Sequence, residues 1–304
     1  MPLVECVPNF SEGRRTEVIA ALAGAIRSAP VALLDVSSDV DHNRTVITFA
    51  GEPDRVAEAM LGAARVAVEH IDLVQHQGVH PRIGAVDVIP FVPLRDITLK
   101  ECGALARDFG RRLAETLGIP VYLYEAAALR PERVNLADVR NIGYEALITA
   151  ITTPERTPDF GPARLTPAGA VAVGARGPLV AFNAYLDTAD VTIAQAIAQS
   201  IRTSGGGLPY LKALGLLVGG RAQVSMNVID YRQTSLSTIM EALRAEAVKH
   251  GTAVTHTELV GLIPQAALIG VALAGLQLPA SARDQVLEHR LGAAIGDYRE
   301  VTFE

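Results

Sequence analysis

Runs of apolar residues alternate along this chain with stretches in which apolar positions recur every three or four residues. The runs at 3–7, 31–36, 44–50, 85–92 and 119–124 predict strands, the valine-rich one at 85–92 buried on both faces. Helical spacing at 14–27, 53–71 and 98–117 predicts helices between them. Pro53 suits the first turn of the second helix, and Thr98 with Glu101 forms a capping box for the third. The order strand, helix, strand, strand, helix, strand, helix, strand predicts an α+β sheet of the split strand–helix–strand kind. A second, smaller α+β unit follows, with strands at 179–186, 214–218, 223–229 and 252–256 and helices at 189–202 and 236–249. Residues 152–178 change character: Thr, Pro, Gly and Arg dominate, and five prolines mark a linker or binding loop. The uncharged stretch 261–280 is long enough on paper to span a bilayer. Pro264, Gln265, Gln277 and Pro279 interrupt it, so a buried helix is expected instead.

Composition narrows the class. With 304 residues, 49 % hydrophobic and 20 % charged, the chain can bury a substantial core, and one large domain or two ordinary ones fit its length. A net charge of −6 argues against a general nucleic-acid binder, while leaving room for an anionic small molecule where arginines gather. Cys6 and Cys102 form no Cys-x-x-Cys pair, so a disulfide framework and a structural zinc site are not expected; a reducing cytoplasm is, and no signal peptide is visible.

The chemistry concentrates in residues 76–93, where His76, Gly78, His80, Arg82 and Gly84 crowd a loop turned by Pro81 at the mouth of the buried strand. His80 offers an acid or base near neutral pH; a polar turn whose histidines merely face water is the alternative. Asp39, Asp41 and His42 lie on a loop entering the strand opened by Arg44, where a carboxylate could orient His80. Arg44 and Arg82 are candidate anion clamps. Asn9, Asn183 and Asn227 each fall late in an apolar strand. Asparagine is poor in strands, so the three point to a shared cleft between subdomains, with turn-making as the alternative. Gly205-Gly206-Gly207 would let backbone approach a ligand, with Lys212 just downstream. His76 and His80 are four apart, but Gly78 and Pro81 break a helical metal-binding face; no His-Glu-x-x-His, Gly-x-Ser-x-Gly or Gly-x-Gly-x-x-Gly pattern supplies another chemistry, and no metal is expected.

Longer motifs carry a resemblance. Val4-Glu5-Cys6-Val7-Pro8-Asn9-Phe10-Ser11-Glu12-Gly13, Asn43-Arg44-Thr45-Val46, His80-Pro81-Arg82-Ile83-Gly84-Ala85-Val86-Asp87-Val88, Pro158-Asp159-Phe160-Gly161-Pro162, Gln223-Val224-Ser225-Met226-Asn227 and Glu258-Leu259-Val260-Gly261-Leu262-Ile263-Pro264 resemble the formiminotransferase (glutamate formimidoyltransferase) domain, in family order from residue 3 to about residue 290. The resemblance implies two ferredoxin-like α/β subdomains with mixed sheets, at 1–177 and 178–304, and a folate tunnel between them. It implies homodimerisation and a monofunctional form without a cyclodeaminase domain. The activity implied is transfer of a formimidoyl group from N-formimidoyl-L-glutamate to N5 of tetrahydrofolate, a co-substrate, late in histidine breakdown. The family's catalytic histidine falls on His80. Its catalytic aspartate aligns with Ser37, with Asp39 and Asp41 nearby. Its folate-contacting loop falls on Gly161, Pro162, Ala163, Arg164, Leu165, Thr166, Pro167, Ala168 and Gly169. Formyl transfer to the same nitrogen, or folate binding without turnover, are the competing expectations.

Overall fold

The computed structural model describes residues 1–285 and Leu287. The first unit is built on a seven-stranded mixed sheet. Its strands are β1 (Leu3–Cys6), β2 (Asn9–Phe10), β3 (Ala32–Asp39), β4 (Arg44–Gly51), β5 (Val86–Arg95), β6 (Val121–Glu125) and β7 (Val171–Ala175). β1 and β2 act as one interrupted strand, each antiparallel to β4 on one side and to β5 on the other. The interruption falls at Val7-Pro8, and Pro90 of β5 lies opposite it, so neither proline leaves a ladder partner without its donor. β3 extends the sheet beyond β4. β7 pairs in parallel with both β5 and β6.

Helices α1 (Thr16–Arg27), α2 (Pro53–His70) and α3 (Leu99–Leu117) cover one face of this sheet. Pro53 opens α2 and the Thr98–Glu101 capping box closes on α3 as the sequence predicts; Gly118, at φ 65°, ends α3. Leu22, Ile26, Met60, Ile47, Phe49, Phe91 and Leu113 are buried between these layers. On the opposite face, α4 (Leu136–Arg140) and α5 (Gly143–Ala150) cover only the β5–β7–β6 end, packing on Val88, Tyr122, Tyr124 and Ala172. The β1–β4–β3 end of that face stays clear of these two helices.

The second unit has β8 (Val180–Leu186), α6 (Val191–Ile201), β9 (Leu211–Val218), β10 (Arg221–Val228), α7 (Leu236–Lys249) and β11 (Val254–Val260). The sheet order β11-β8-β10-β9 is the ferredoxin-like arrangement, antiparallel throughout rather than mixed. Val180, Phe182, Ala184, Val224, Met226 and Val228 face α6 and α7. By strand alternation Asn183, Tyr185, Gln223, Ser225 and Asn227 take the other face, toward the large sheet. Contacts tie the two units there: Asp41 Oδ2 accepts from the Gly219 N–H at 2.6 Å, and Lys212 Nζ donates to Asn135 Oδ1 at 2.7 Å.

Four expectations need correction. The stretch read as a linker contains β7, an all-buried interior strand between β5 and the edge strand β6; its Val-Ala-Val-Gly-Ala is too short to stand out from a proline-rich background. Strand β3 runs to Asp39, so that residue ends a strand instead of entering a loop. Strand β11 begins and ends later than predicted and thereby includes Glu258. The apolar stretch forms α8 (Gln265–Gly275), of which only Ala267 is buried, while Leu268 is 48 % exposed. Uniform hydrophobicity gave that helix no preferred face, and no layer of the described fold covers it. No helix among the described residues is long and apolar enough to cross a membrane.

Candidate active site

The loop from Asp72 to Ile83, between α2 and β5, carries His80 and is tied at many points. Val79 N–H donates to Asp41 O, Asn43 Nδ2 donates to Gln77 O, and Leu73 N–H donates to Pro167 O. Gly78 packs so closely that a Cβ would lie 2.3 Å from His42 O. At the strand mouth, Ala85 N–H donates to Ala168 O and Ala170 N–H donates to Ile83 O, zipping residues 161–169 onto the His80 loop. A Cβ on Gly84 would sit 1.8 Å from Ala170 O, so only glycine allows this approach.

His76 is a structural pin. Arg82 Nε donates to its Nδ1 at 2.9 Å, which leaves its Nε2–H to donate to Asn43 O at 2.9 Å. Burial, and then Arg82, push its pKa below the usual histidine value. With both ring nitrogens engaged it is no metal ligand, and among the described residues no group of His, Cys, Asp and Glu is placed to hold a metal ion. Arg82 is likewise committed: its guanidinium pairs with Glu145 at 2.7 and 3.1 Å, so its fork is closed to a substrate anion.

His80 lies half-buried with Nδ1 2.9 Å from its own neighbour's carbonyl, Pro81 O. That contact fits an Nδ1–H donor and leaves the Nε2 lone pair as the basic atom. The ring of His42 stands 5.7 Å away, centroid to centroid. Behind the ring lies a cluster of Arg44, Asp87 and Arg140. Arg44 Nη1 is 2.8 Å and Arg140 Nη2 2.5 Å from Asp87 Oδ2, while Asp87 Oδ1 accepts from Ile83 N–H at 2.8 Å. Arg140 Nη2 also donates to Pro81 O and lies 3.4 Å from His80 Nδ1. Burial works to raise the Asp87 carboxyl, but Arg140, Arg44 and the Ile83 amide outweigh it and hold the group below the ordinary range. Burial pulls Arg44 down to about 10 despite Asp87, so it keeps its charge at neutral pH. The cluster therefore carries one surplus positive charge. Burial, followed by Arg44 and Arg140, drives the His80 pKa well below the usual value, and the ring is neutral at pH 7.

The two expected carboxylates are engaged with backbone amides. Asp39 Oδ1 accepts the Asp41 and His42 amides at 2.8 and 2.7 Å, bending the chain out of β3, and Asp41 bridges to Gly219. Neither is hydrogen-bonded to His80. Ser37 pairs with Val46, two residues from Asp39 on the same face of β3. Asn9 accepts from Arg44 Nε at 3.0 Å, Asn183 reaches Glu258, and Asn227 sits opposite Lys212 in the ladder. The triple glycine has a structural explanation: a Cβ on Gly205 or Gly207 would strike Gln199 O or Ile201, and Gly206, at φ 84°, turns the chain. In the 161–169 loop, Gly161 through Arg164 and Pro167 are exposed, Leu165 and Thr166 are partly so, and Ala168 and Gly169 are buried against the His80 strand. A cleft of about 450 Å³ opens at the seam between Arg14, Asp41, Gly78, Val79, Leu217 and Gly219.

Sequence reasoning missed Asp87, Arg140 and Glu258 as site residues. Asp87 had a signal, since an acid inside an all-buried valine run must be paired. Arg140 had none; its helix is short and lies sixty residues along the chain from His80.

Fold and site together define a two-subdomain α+β protein with a neutral imidazole set against a buried cationic cluster. Residues 3–176 match the model of the formiminotransferase domain's N-terminal subdomain, and residues 181–277 match that of the formiminotransferase domain; the chain belongs to this family. It is 45 % identical to the glutamate formimidoyltransferase of Streptococcus pyogenes serotype M1, over 95 % of this chain and 98 % of that one. It is 44 % identical to the glutamate formimidoyltransferase of Thermoplasma acidophilum, over 97 % and 99 %. The formimidoyltransferase-cyclodeaminase of Mus musculus is 44 % identical over 89 % of this chain, but the match spans 52 % of that protein.

Proposed function

We propose that this enzyme transfers the formimidoyl group of N-formimidoyl-L-glutamate to N5 of tetrahydrofolate, giving 5-formimidoyltetrahydrofolate and L-glutamate. The observation that carries the reading is His80: a neutral imidazole with one nitrogen engaged by Pro81, beside the 161–169 loop, in a chain that matches formimidoyltransferases over nearly the whole length of both. In the transfer a bond forms between N5 and the formimidoyl carbon, and the bond from that carbon to the glutamate nitrogen breaks. His80 Nε2 takes the proton that N5 sheds and returns it to the departing glutamate nitrogen, so protons balance over one turnover. The flanking guanidiniums make the imidazolium short-lived, a weak base that becomes a strong acid, which favours the second delivery. Both substrates carry carboxylates; Lys212 and Arg164, at the seam and on the exposed loop, are the cations we assign to them. Asp39 and Asp41 shape the backbone around His42, and Gly161 to Gly169 form the folate loop.

The same reading places the subdomain boundary at 177/178 and takes the protein to be a cytoplasmic homodimer in histidine breakdown. Purified protein mixed with tetrahydrofolate and formimidoyl-glutamate tests it, with N-formylglutamate as the alternative donor. Formation of 5-formimidoyltetrahydrofolate with equal free glutamate, lost in His80→Ala, is expected. Tetrahydrofolate binding without turnover of either donor would overturn it.

A further inference from the structure

On the seam face of the small sheet, one carboxylate gathers three side-chain donors on a single oxygen. Asn183 Nδ2, Tyr185 Oη and Gln223 Nε2 approach Glu258 Oε1 at 3.0, 3.2 and 3.2 Å. All three donors are neutral, and Glu258 has no ion-pair partner among the described residues. Asn183 is buried and Gln223 fully so, yet Gln223 Oε1 has no donor. Burial, and then Glu258, push the Tyr185 hydroxyl up to about 12, which keeps it a donor. The Tyr185 and His256 rings stack beside the carboxylate at 4.4 Å with an 8° tilt.

A part-buried carboxylate without a cation, fixed by neutral donors, is costly unless something else supplies charge-assisted hydrogen bonds. Its second oxygen takes no hydrogen bond from the described residues, Gln223 Oε1 is unpartnered on the same amide that donates to the first oxygen, and the Tyr185–His256 stack flanks them. The complement is a planar heterocycle with adjacent ring N–H and amino donors. The 2-amino-N3–H edge of a reduced pterin has that pattern. The placement also suits the chemistry: Asp39 is close enough for its charge to act on Tyr185, its carboxylate holds the amide of His42, and the His42 ring neighbours His80. A bicyclic ring seated on Glu258 would therefore share the seam with the imidazole.

We infer that Glu258, held by Asn183, Tyr185 and Gln223, binds the 2-amino-N3–H edge of the tetrahydrofolate pterin and so orients N5 toward His80. The inference rests on tetrahydrofolate being the acceptor. It assigns the carboxylate to the acceptor substrate and not to the amidine of the donor.

The test is Glu258→Gln, which keeps shape and removes charge. Loss of one charge-assisted contact predicts a rise of about 10- to 100-fold in both the Kd and the KM for tetrahydrofolate, with the KM for formimidoyl-glutamate unchanged. A tetrahydrofolate analogue lacking the 2-amino group should bind wild type as weakly as the variant binds tetrahydrofolate, and should lose nothing further in Glu258→Gln. Unchanged tetrahydrofolate affinity, or a rise confined to the donor's KM, overturns the inference. If Glu258→Gln fails to fold, Tyr185→Phe, which frees the carboxylate from one neutral donor, is read the same way: a changed tetrahydrofolate Kd with the donor KM fixed supports the inference, and no change overturns it. Wild type that neither binds tetrahydrofolate nor transfers to it would instead sink the functional reading itself.

Discussion

Asp87 is the residue on which the cluster behind His80 depends. Its carboxylate is fully buried and answers two guanidiniums that are themselves largely buried, plus the Ile83 amide. Asp87→Asn keeps the shape and an acceptor for Ile83 but leaves two buried cations facing each other without an anion. Removing one partner from a buried ion pair costs about 3–5 kcal/mol. At about 2–4 °C per kcal/mol for a domain of this size, the melting temperature should fall by roughly 6–20 °C. Arg140→Met is the informative contrast. It leaves Arg44 and Asp87 as a neutral one-to-one pair with no unpaired buried charge, so about 1–2 kcal/mol should be lost. Thermal and urea unfolding followed by circular dichroism measure both variants. The reasoning is refuted if Asp87→Asn lies within about 1 kcal/mol of wild type, or if Arg140→Met is the more damaging of the two.

The depressed pKa of His80 carries a direction for pH. A histidine whose folded pKa lies below its unfolded value contributes full stability above about 6.5 and costs stability as pH falls through that value toward the folded pKa. Activity needing the neutral ring should therefore hold below pH 6.5, and Arg140→Met, by removing one of the cations, should move the acidic limb of kcat/KM upward; a limb that stays put would show that the cluster does not tune the ring. Gly84→Ala places a Cβ into Ala170 O and should separate the 161–169 loop from the His80 strand, with stability and tetrahydrofolate binding lost together. Thr98→Ala removes the capping box of α3 and should cost about 1 kcal/mol in urea unfolding with turnover unchanged.

The sequence by itself determined the elements whose cause is local. Pro53 at a helix start, the Thr98–Glu101 box and the α7 span Leu236–Lys249 were legible because capping and 3.6-residue periodicity act within a few residues. It also placed His80 in a loop at a strand mouth, and its three asparagines in strands. Only the tertiary structure decided who faces whom. Asp87 meets Arg140 because α4 packs back across β5, and Glu258 meets Asn183 because β11 adds beside β8. It also decided that Arg82 pairs with Glu145, that β7 runs through a proline-rich stretch, and that α8 stays exposed. Those outcomes depend on desolvation and charge pairing between residues far apart in the chain, and no local pattern records them. The carboxylates illustrate the difference: the loop before Arg44 and the family resemblance pointed to Asp39 and Asp41, whereas only the packed sheet shows Asp87 enclosed between Arg44 and Arg140 behind the ring.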